Sequence, residues 1–268
     1  MKVIDAFTFH NEFDLLKLRL DYLNDIVDYF VISEGKYTYS GKPKHYYLNQ
    51  IFNQIPEKIQ KKIISVHYEP DILNFNFPNK IRKLDYSNDC WKLEGQQRNS
   101  ISKHLSCFND NDLFMLSDVD EIPKKEVIEL MSKKILLGVA RCEMFYYNFT
   151  TFCGTNWAGT IFSTIKLARE NKLDIMRKMR FSLPSIENGG WHFSYFGNPK
   201  DIINKLESFS HQEYNHPKIK NTENILNCIQ NKINILDGRK FETYDISKFP
   251  INMQKLVIKF MKEKNEQS

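Results

Sequence analysis

From Lys2 to His10 the chain reads KVIDAFTFH, a β-rich run, and NEFDLLKLRLDYL follows with Leu16, Leu20 and Leu23 at i, i+4 and i+7. That change of period predicts strand, turn, helix. DYFVISEG, Asp28 to Gly35, returns to a continuous apolar run, as a strand does in a parallel sheet covered on both faces. A βαβ start is the natural reading. After the polar loop GKYTYSGKPK come a weak helix near Glu57 to Lys61 and a short strand, IISVHY, from Ile63 to Tyr68. CWKLEGQQRNSISKHL, Cys90 to Leu105, reads as helix despite Gly95 and feeds another apolar strand, DLFMLS. The stretch from Val139 to Phe162 is strand-like and aromatic, while Pro199 to Ser208, Thr222 to Lys232 and Ile251 to Lys264 carry helical patterns. Strands alternating with helices predict an α/β layer fold.

Length and charge narrow the class. A chain of 268 residues can bury one large core. A single domain is expected, with a first part over about 1–122, a second over about 123–250 and a closing helix over 251–264. The net charge of +5 is spread among acids rather than gathered into an arm. That suits an anionic small ligand such as a nucleoside diphosphate at least as well as nucleic acid, which is not expected as a partner. Five cysteines without a C-x-x-C pair read as reduced thiols rather than a disulfide or zinc framework. The strand pattern starts at Lys2, leaving no room for a signal peptide, and no apolar run nears the ~18 residues of a membrane span. The expectation is a soluble, cytoplasmic chain, with at most peripheral membrane contact.

The most informative stretch is DLFMLSDVDEIP, Asp112 to Pro123, where an apolar strand breaks into Asp118, Asp120 and Glu121. Open α/β sheets bind ligands at the carboxyl edge of their strands. In extended backbone, residues i and i+2 project to one side, so both aspartates would face one spot with Val119 turned to the core. Two carboxylates so close invite a divalent cation; Mg2+ or Mn2+ takes one or two of them plus water and phosphate oxygens. The plainer reading is that the acids cap a helix beginning after Pro123, which for Glu121 is an even alternative.

A second unusual stretch is ENGGWHFSYFG, Glu187 to Gly197. Its glycines would let backbone approach a ligand, and Trp191 and Phe193 would offer it stacking faces while His192 points the other way.

Taken in order, DAFTFHNEFDLLKLRL, VDYFVISEGKYTYSGKPK, QQRNSI, LSDVDEIP and NGGWHFSYFG make the chain similar to the family 17 glycosyltransferases, an N-acetylglucosaminyltransferase family with the GT-A fold. The resemblance implies a GT-A-type Rossmann-like sandwich with a mostly parallel central sheet flanked by helices. It implies a nucleotide-sugar donor of the UDP type, Mn2+ or Mg2+, inversion at the anomeric carbon and a glycan-type acceptor, with GlcNAc as the family-level sugar. It places Asp118, Asp120 and His192 on the metal, and Thr8, Asn11, Glu12 and Glu34 around the nucleoside. Arg98, in the matching QQRN, would clamp diphosphate oxygens with its guanidinium fork. Lys42 and Lys44 either touch phosphate or keep their loop soluble.

An inverting transfer also needs a base for the acceptor hydroxyl. Glu187, His211 and Glu213 are the candidates, with Asp118 and Glu121 behind them; Glu213 and Glu187 are preferred. Trp157 reads as an acceptor platform or a buried core ring. Two other functions use parts of this set: a nucleotidyltransferase or phosphohydrolase working through the paired acids, and a non-catalytic carbohydrate-binding protein using the aromatics.

Overall fold

The structure is a computed structural model describing residues 1–77, 83–134 and 137–266. Its first half follows the apolar pattern: β1 (Val3–Phe9), α1 (Phe13–Leu23), β2 (Tyr29–Gly35), the short helices α2 (Tyr47–Ile51) and α3 (Glu57–Gln60), β3 (Ile63–Tyr68), α4 (Asp89–Ser100) and β4 (Leu113–Asp118). Strands β3, β2, β1 and β4 lie side by side and parallel. The helix expected from Cys90 to Leu105 ends sooner, continuing as 3-10 turns over Ile101–Cys107.

The second half is more irregular. It comprises β5 (Glu121–Pro123), α5 (Lys125–Lys134), β6 (Gly138–Tyr146), β7 (Thr151–Thr164), α6 (Ile165–Glu170), α7 (Leu173–Lys178), β8 (Ser185–Ser194), α8 (Pro199–Ser208), α9 (Thr222–Asn231), β9 (Glu242–Thr243) and α10 (Ile251–Glu266). These strands extend the same sheet in the order β4, β7, β6, β8, β5, with β6 and β8 parallel and the other contacts antiparallel. The sheet is thus parallel on one side and mixed on the other. The aromatic run after Val139 is two long antiparallel strands, and ENGG lies in the first half of β8.

Alternation along each strand decides which helices meet which side chains. Phe7, Phe9, Phe30, Ile32, Leu113 and Met115 pack under α1 and α10 with Leu16, Leu20, Met253 and Val257. Ile4, Ala6, Val31, Phe114 and Leu116 face the opposite way, toward Ile101, Leu105, Ala168, Leu173 and Met176. The same parity sends Asp5 and Ser117 toward α1, and Thr8 and Asp118 toward α4 and α7. A separate cluster joins α8 and α9 to Tyr146, Tyr147 and Tyr195.

Candidate active site

Asp118 closes β4 directly beside Thr8 of β1. Thr8 Oγ1 donates to Asp118 Oδ1 at 2.9 Å, Arg98 Nη2 from α4 donates to the same oxygen at 2.9 Å, and Arg177 Nη2 from α7 reaches Oδ2 at 2.9 Å. The side chain stays 33% exposed. Burial would raise its pKa, yet the Arg177 and Arg98 guanidiniums hold it well below the usual carboxylate range. Arg98 is itself steadied by Glu94 Oε1 at 2.9 Å.

The strand ends at Asp118, so the parity rule does not carry on to Asp120. The chain turns there, and the two neighbouring aspartates take different hydrogen-bond partners. Asp120, 7% exposed, receives Lys205 Nζ from α8 at 2.8 Å and lies 3.5 Å from His192 Nε2, both contacts falling on Oδ2. Burial opposes its ionisation, but Lys205 and His192 pull its pKa below the ordinary value. The His192 ring stacks on Trp157 at 4.4 Å, and its Nδ1 is buried without a partner.

Glu121 does not cap a helix. It belongs to β5, opposite His192 of β8, while the next helix starts at Lys125. Its carboxylate is buried and accepts hydrogen bonds from Arg177 Nη2 at 2.5 Å, Trp157 Nε1 at 2.6 Å and the Asp118 amide at 3.1 Å. The turn between the two strands is held from below by Arg19 of α1, whose Nη1 donates to the carbonyls of Asp118 at 3.1 Å and Glu121 at 2.7 Å.

The loop after β1 brings Asn11 and Glu12 to the same region. Glu12 Oε2 accepts from the amides of His10 and Asn11 at 3.1 and 3.0 Å, and burial raises its carboxyl while Lys205 opposes the rise. Glu34 is engaged differently from the expectation: Lys44 Nζ at 2.6 Å and the amides of Tyr47 and Leu48 at 2.6 and 3.0 Å occupy both of its oxygens. It starts α2 and neutralises a buried lysine. Lys44 is accordingly no solubility residue, whereas Lys42 is exposed and pairs with Glu207 at 3.7 Å.

Trp191 is not at the site. Its side chain is fully buried among Tyr22 and Phe249, with Nε1 bonded to Glu143 Oε2 at 3.1 Å, so no ligand can stack on it. Phe193 is equally buried. The adjacent glycines serve strand packing: a Cβ on Gly190 would meet the Ile122 carbonyl at 2.6 Å and one on Gly189 the Ala140 Cβ at 2.7 Å. Glu187 is exposed near the start of β8, bonded to Ser185 Oγ at 2.8 Å, and the irregularity between Ile186 and Gly190 separates it from His192. Glu213 lies behind His211, with Oε1 2.7 Å from Nδ1.

Four cations that sequence reasoning passed over complete the picture: Arg19, Arg177, Arg180 and Lys205. The Arg180 guanidinium sits 5.5 Å over the Trp157 ring, where burial and Arg177 lower its pKa to about 10. A signal existed only for Arg19, a charge on the leucine face of α1 that answers Asp5 in an apolar strand.

For a divalent cation the donor chemistry fits Asp120 and His192, whose Nε2 lies 3.5 Å from the carboxylate. Asp118 has both oxygens committed to guanidiniums. Among the described residues no group of three or more histidine, cysteine or acidic side chains stands placed to hold a metal. The two-ligand arrangement is the sparse kind that Mg2+ and Mn2+ accept when phosphate and water complete the shell.

The family model of Glycosyltransferase family 17 matches residues 1–256. Over 126 residues the chain is 29% identical to the beta-1,4-mannosyl-glycoprotein 4-beta-N-acetylglucosaminyltransferases of Rattus norvegicus and Homo sapiens, an overlap covering 47% of this chain and 22% of each relative. The matched stretch therefore spans about a fifth of those relatives' length. Among solved structures, the galactosyltransferase LgtC in complex with donor and acceptor sugar analogs is similar at a TM-score of 0.37 and 11% identity, over 76% of this chain and 70% of that one. HddC from Yersinia pseudotuberculosis is similar at a TM-score of 0.37 and 10% identity, over 73% and 91%. With the family match running over nearly its whole length, the chain belongs to glycosyltransferase family 17.

Proposed function

We propose that the protein is a metal-dependent, inverting GT-A glycosyltransferase that moves a sugar, GlcNAc by family expectation, from a UDP-sugar to a glycan hydroxyl. The observation that carries this reading is the meeting of Asp118, Asp120 and Thr8 with Arg98, Arg177 and Lys205 at the carboxyl edge of the sheet. Such an edge, with three cationic donors gathered at it, suits a diphosphate. Asp120 and His192 would hold Mn2+ or Mg2+, which when bound neutralises charge on the departing diphosphate.

The chain's own groups do the rest. Arg98 and Arg177 fix Asp118 in place, and Lys205 offers an ammonium that can pass from Asp120 to a phosphate oxygen. Thr8 at the end of β1 and the following loop residues Asn11 and Glu12 border the nucleoside. Asp118 is held too acidic to act as a base, and the exposed Glu187 is bonded to Ser185 rather than to any group of the site. His211, backed by the buried Glu213 as its positioning residue, is the group we assign to take the acceptor proton.

Calorimetry of UDP binding with Mn2+ and with EDTA tests the reading. Affinity should need the metal and vanish in Asp120→Ala without loss of fold; unchanged metal-dependent affinity in that variant would sink it. Release of nucleoside monophosphate from a sugar nucleotide would instead favour a nucleotidyltransferase or phosphohydrolase.

A further inference from the structure

Six buried side-chain polar atoms among the described residues have no hydrogen-bond partner, and three of them, Trp91 Nε1, Glu213 Oε2 and Asn215 Oδ1, belong to one patch beside the site. Orphaned polar atoms in a buried setting are costly, so a recurring group of them asks for an occupant. The patch is aromatic. Trp91 meets the His211 ring edge-on at 4.6 Å and the exposed Tyr86 ring at 4.8 Å. Glu213 is 7% exposed behind His211, which is 36% exposed, so a buried carboxylate backs an accessible ring.

The patch is also wired to the reaction centre. Trp91, Glu94 and Arg98 stand at i, i+3 and i+7 on α4 and share a face. Glu94 takes the Ser210 hydroxyl on one side and Arg98 on the other, and Arg98 reaches Asp118. Seven helical residues rise about 10 Å, so Trp91 stands about two turns along α4 from the guanidinium that reaches Asp118.

We propose that Trp91, His211 and Glu213 form a saccharide subsite that seats the acceptor; the inference rests on the glycosyltransferase reading above. A pyranose presents an apolar C–H face and a rim of hydroxyls that donate and accept. The face packs on the Trp91 ring, one hydroxyl oxygen accepts from Trp91 Nε1, and hydroxyl protons go to Glu213 Oε2 and Asn215 Oδ1.

Saturation-transfer NMR with methyl α-mannoside, methyl β-galactoside and methyl β-N-acetylglucosaminide tests this on the full chain, with UDP binding in Mn2+ measured in parallel by calorimetry. At least one glycoside should bind wild type. Affinity should fall about tenfold in Glu213→Gln and in Trp91→Phe, which keeps one aromatic ring and removes the Nε1 donor together with the fused second ring. UDP affinity should not move in either variant. No glycoside binding at millimolar concentration, binding that survives both changes, or a parallel loss of UDP affinity would each overturn the subsite. Glycoside binding lost in the variants of a protein that does not bind UDP would uphold the subsite and remove the donor reading instead.

Discussion

Arg19 grips Asp5 through two parallel hydrogen bonds of 2.8 and 2.6 Å, and neither side chain is exposed at all. The same guanidinium donates to Ser117 Oγ at 2.8 Å and to the carbonyls of Asp118, Val119 and Glu121. A fully buried ion pair is stable only when every donor is used, and here the spare donors define the turn that carries the acids.

Arg19→Met should therefore destabilise the fold by about 3–5 kcal/mol, because Asp5 is left buried and unpaired. Arg19→Lys should recover little, since one ammonium cannot reproduce the fork. Urea unfolding of both variants checks this, and a loss below about 1 kcal/mol in Arg19→Met would show that the pair holds nothing together.

Lys205 and a divalent cation would compete for the same Asp120 oxygen. Lys205→Met should raise Mn2+ affinity roughly tenfold, read from free Mn2+ by electron paramagnetic resonance in the absence of nucleotide. A fall in affinity would mean that Lys205 helps build the cation site rather than filling it.

His10 sits against Tyr47, with its pKa lowered to about 3 by burial and by the nearby Lys44 and Lys205. The unfolded chain takes up this proton near pH ~6.5 while the folded one refuses it, so stability is complete above that value and declines as pH falls below it. Asp118 and Asp120, with depressed values, add their own loss only below about pH 4, and Glu12, whose carboxyl is raised, works in the opposite direction. His10→Gln should flatten the stability curve between about pH 4 and 6.5. An unaltered slope in denaturant melts across that window would remove His10 as its source.

Gly190→Ala should cost about 1–3 kcal/mol and push β5 off β8, because the added methyl meets the Ile122 carbonyl at 2.6 Å and the Cys142 sulfur at 3.1 Å. Since β5 carries Glu121, UDP affinity should drop with it. Thermal melts and calorimetry read the two effects, and a silent variant would return these glycines to a ligand-facing role.

Much of this was legible in the chain. Strands β1, β2 and β4 are written as continuous apolar runs and α1 as a leucine stripe, so the βαβ start and the delivery of Asp118 to the sheet edge follow from local pattern. Arg98 could be read because it sits in a motif. Arg177 and Lys205 could not, since they reach Asp118 and Asp120 across 59 and 85 residues and nothing near them in sequence marks the partner. Trp191 misled for a physical reason: an aromatic beside two glycines looks equally suited to a sugar face and to a tight strand crossing, and only burial separates the two.

The long reach from Asp120 to Lys205 has a consequence for how the protein is made. A chain emerging from the ribosome presents β1, β2 and β4 well before β8 and α8 exist, so the parallel half can pair while Asp120 still lacks both His192 and Lys205. In a chain made from its N-terminus, the Asp120 corner of the sheet edge would therefore be completed only once α8 has been synthesised.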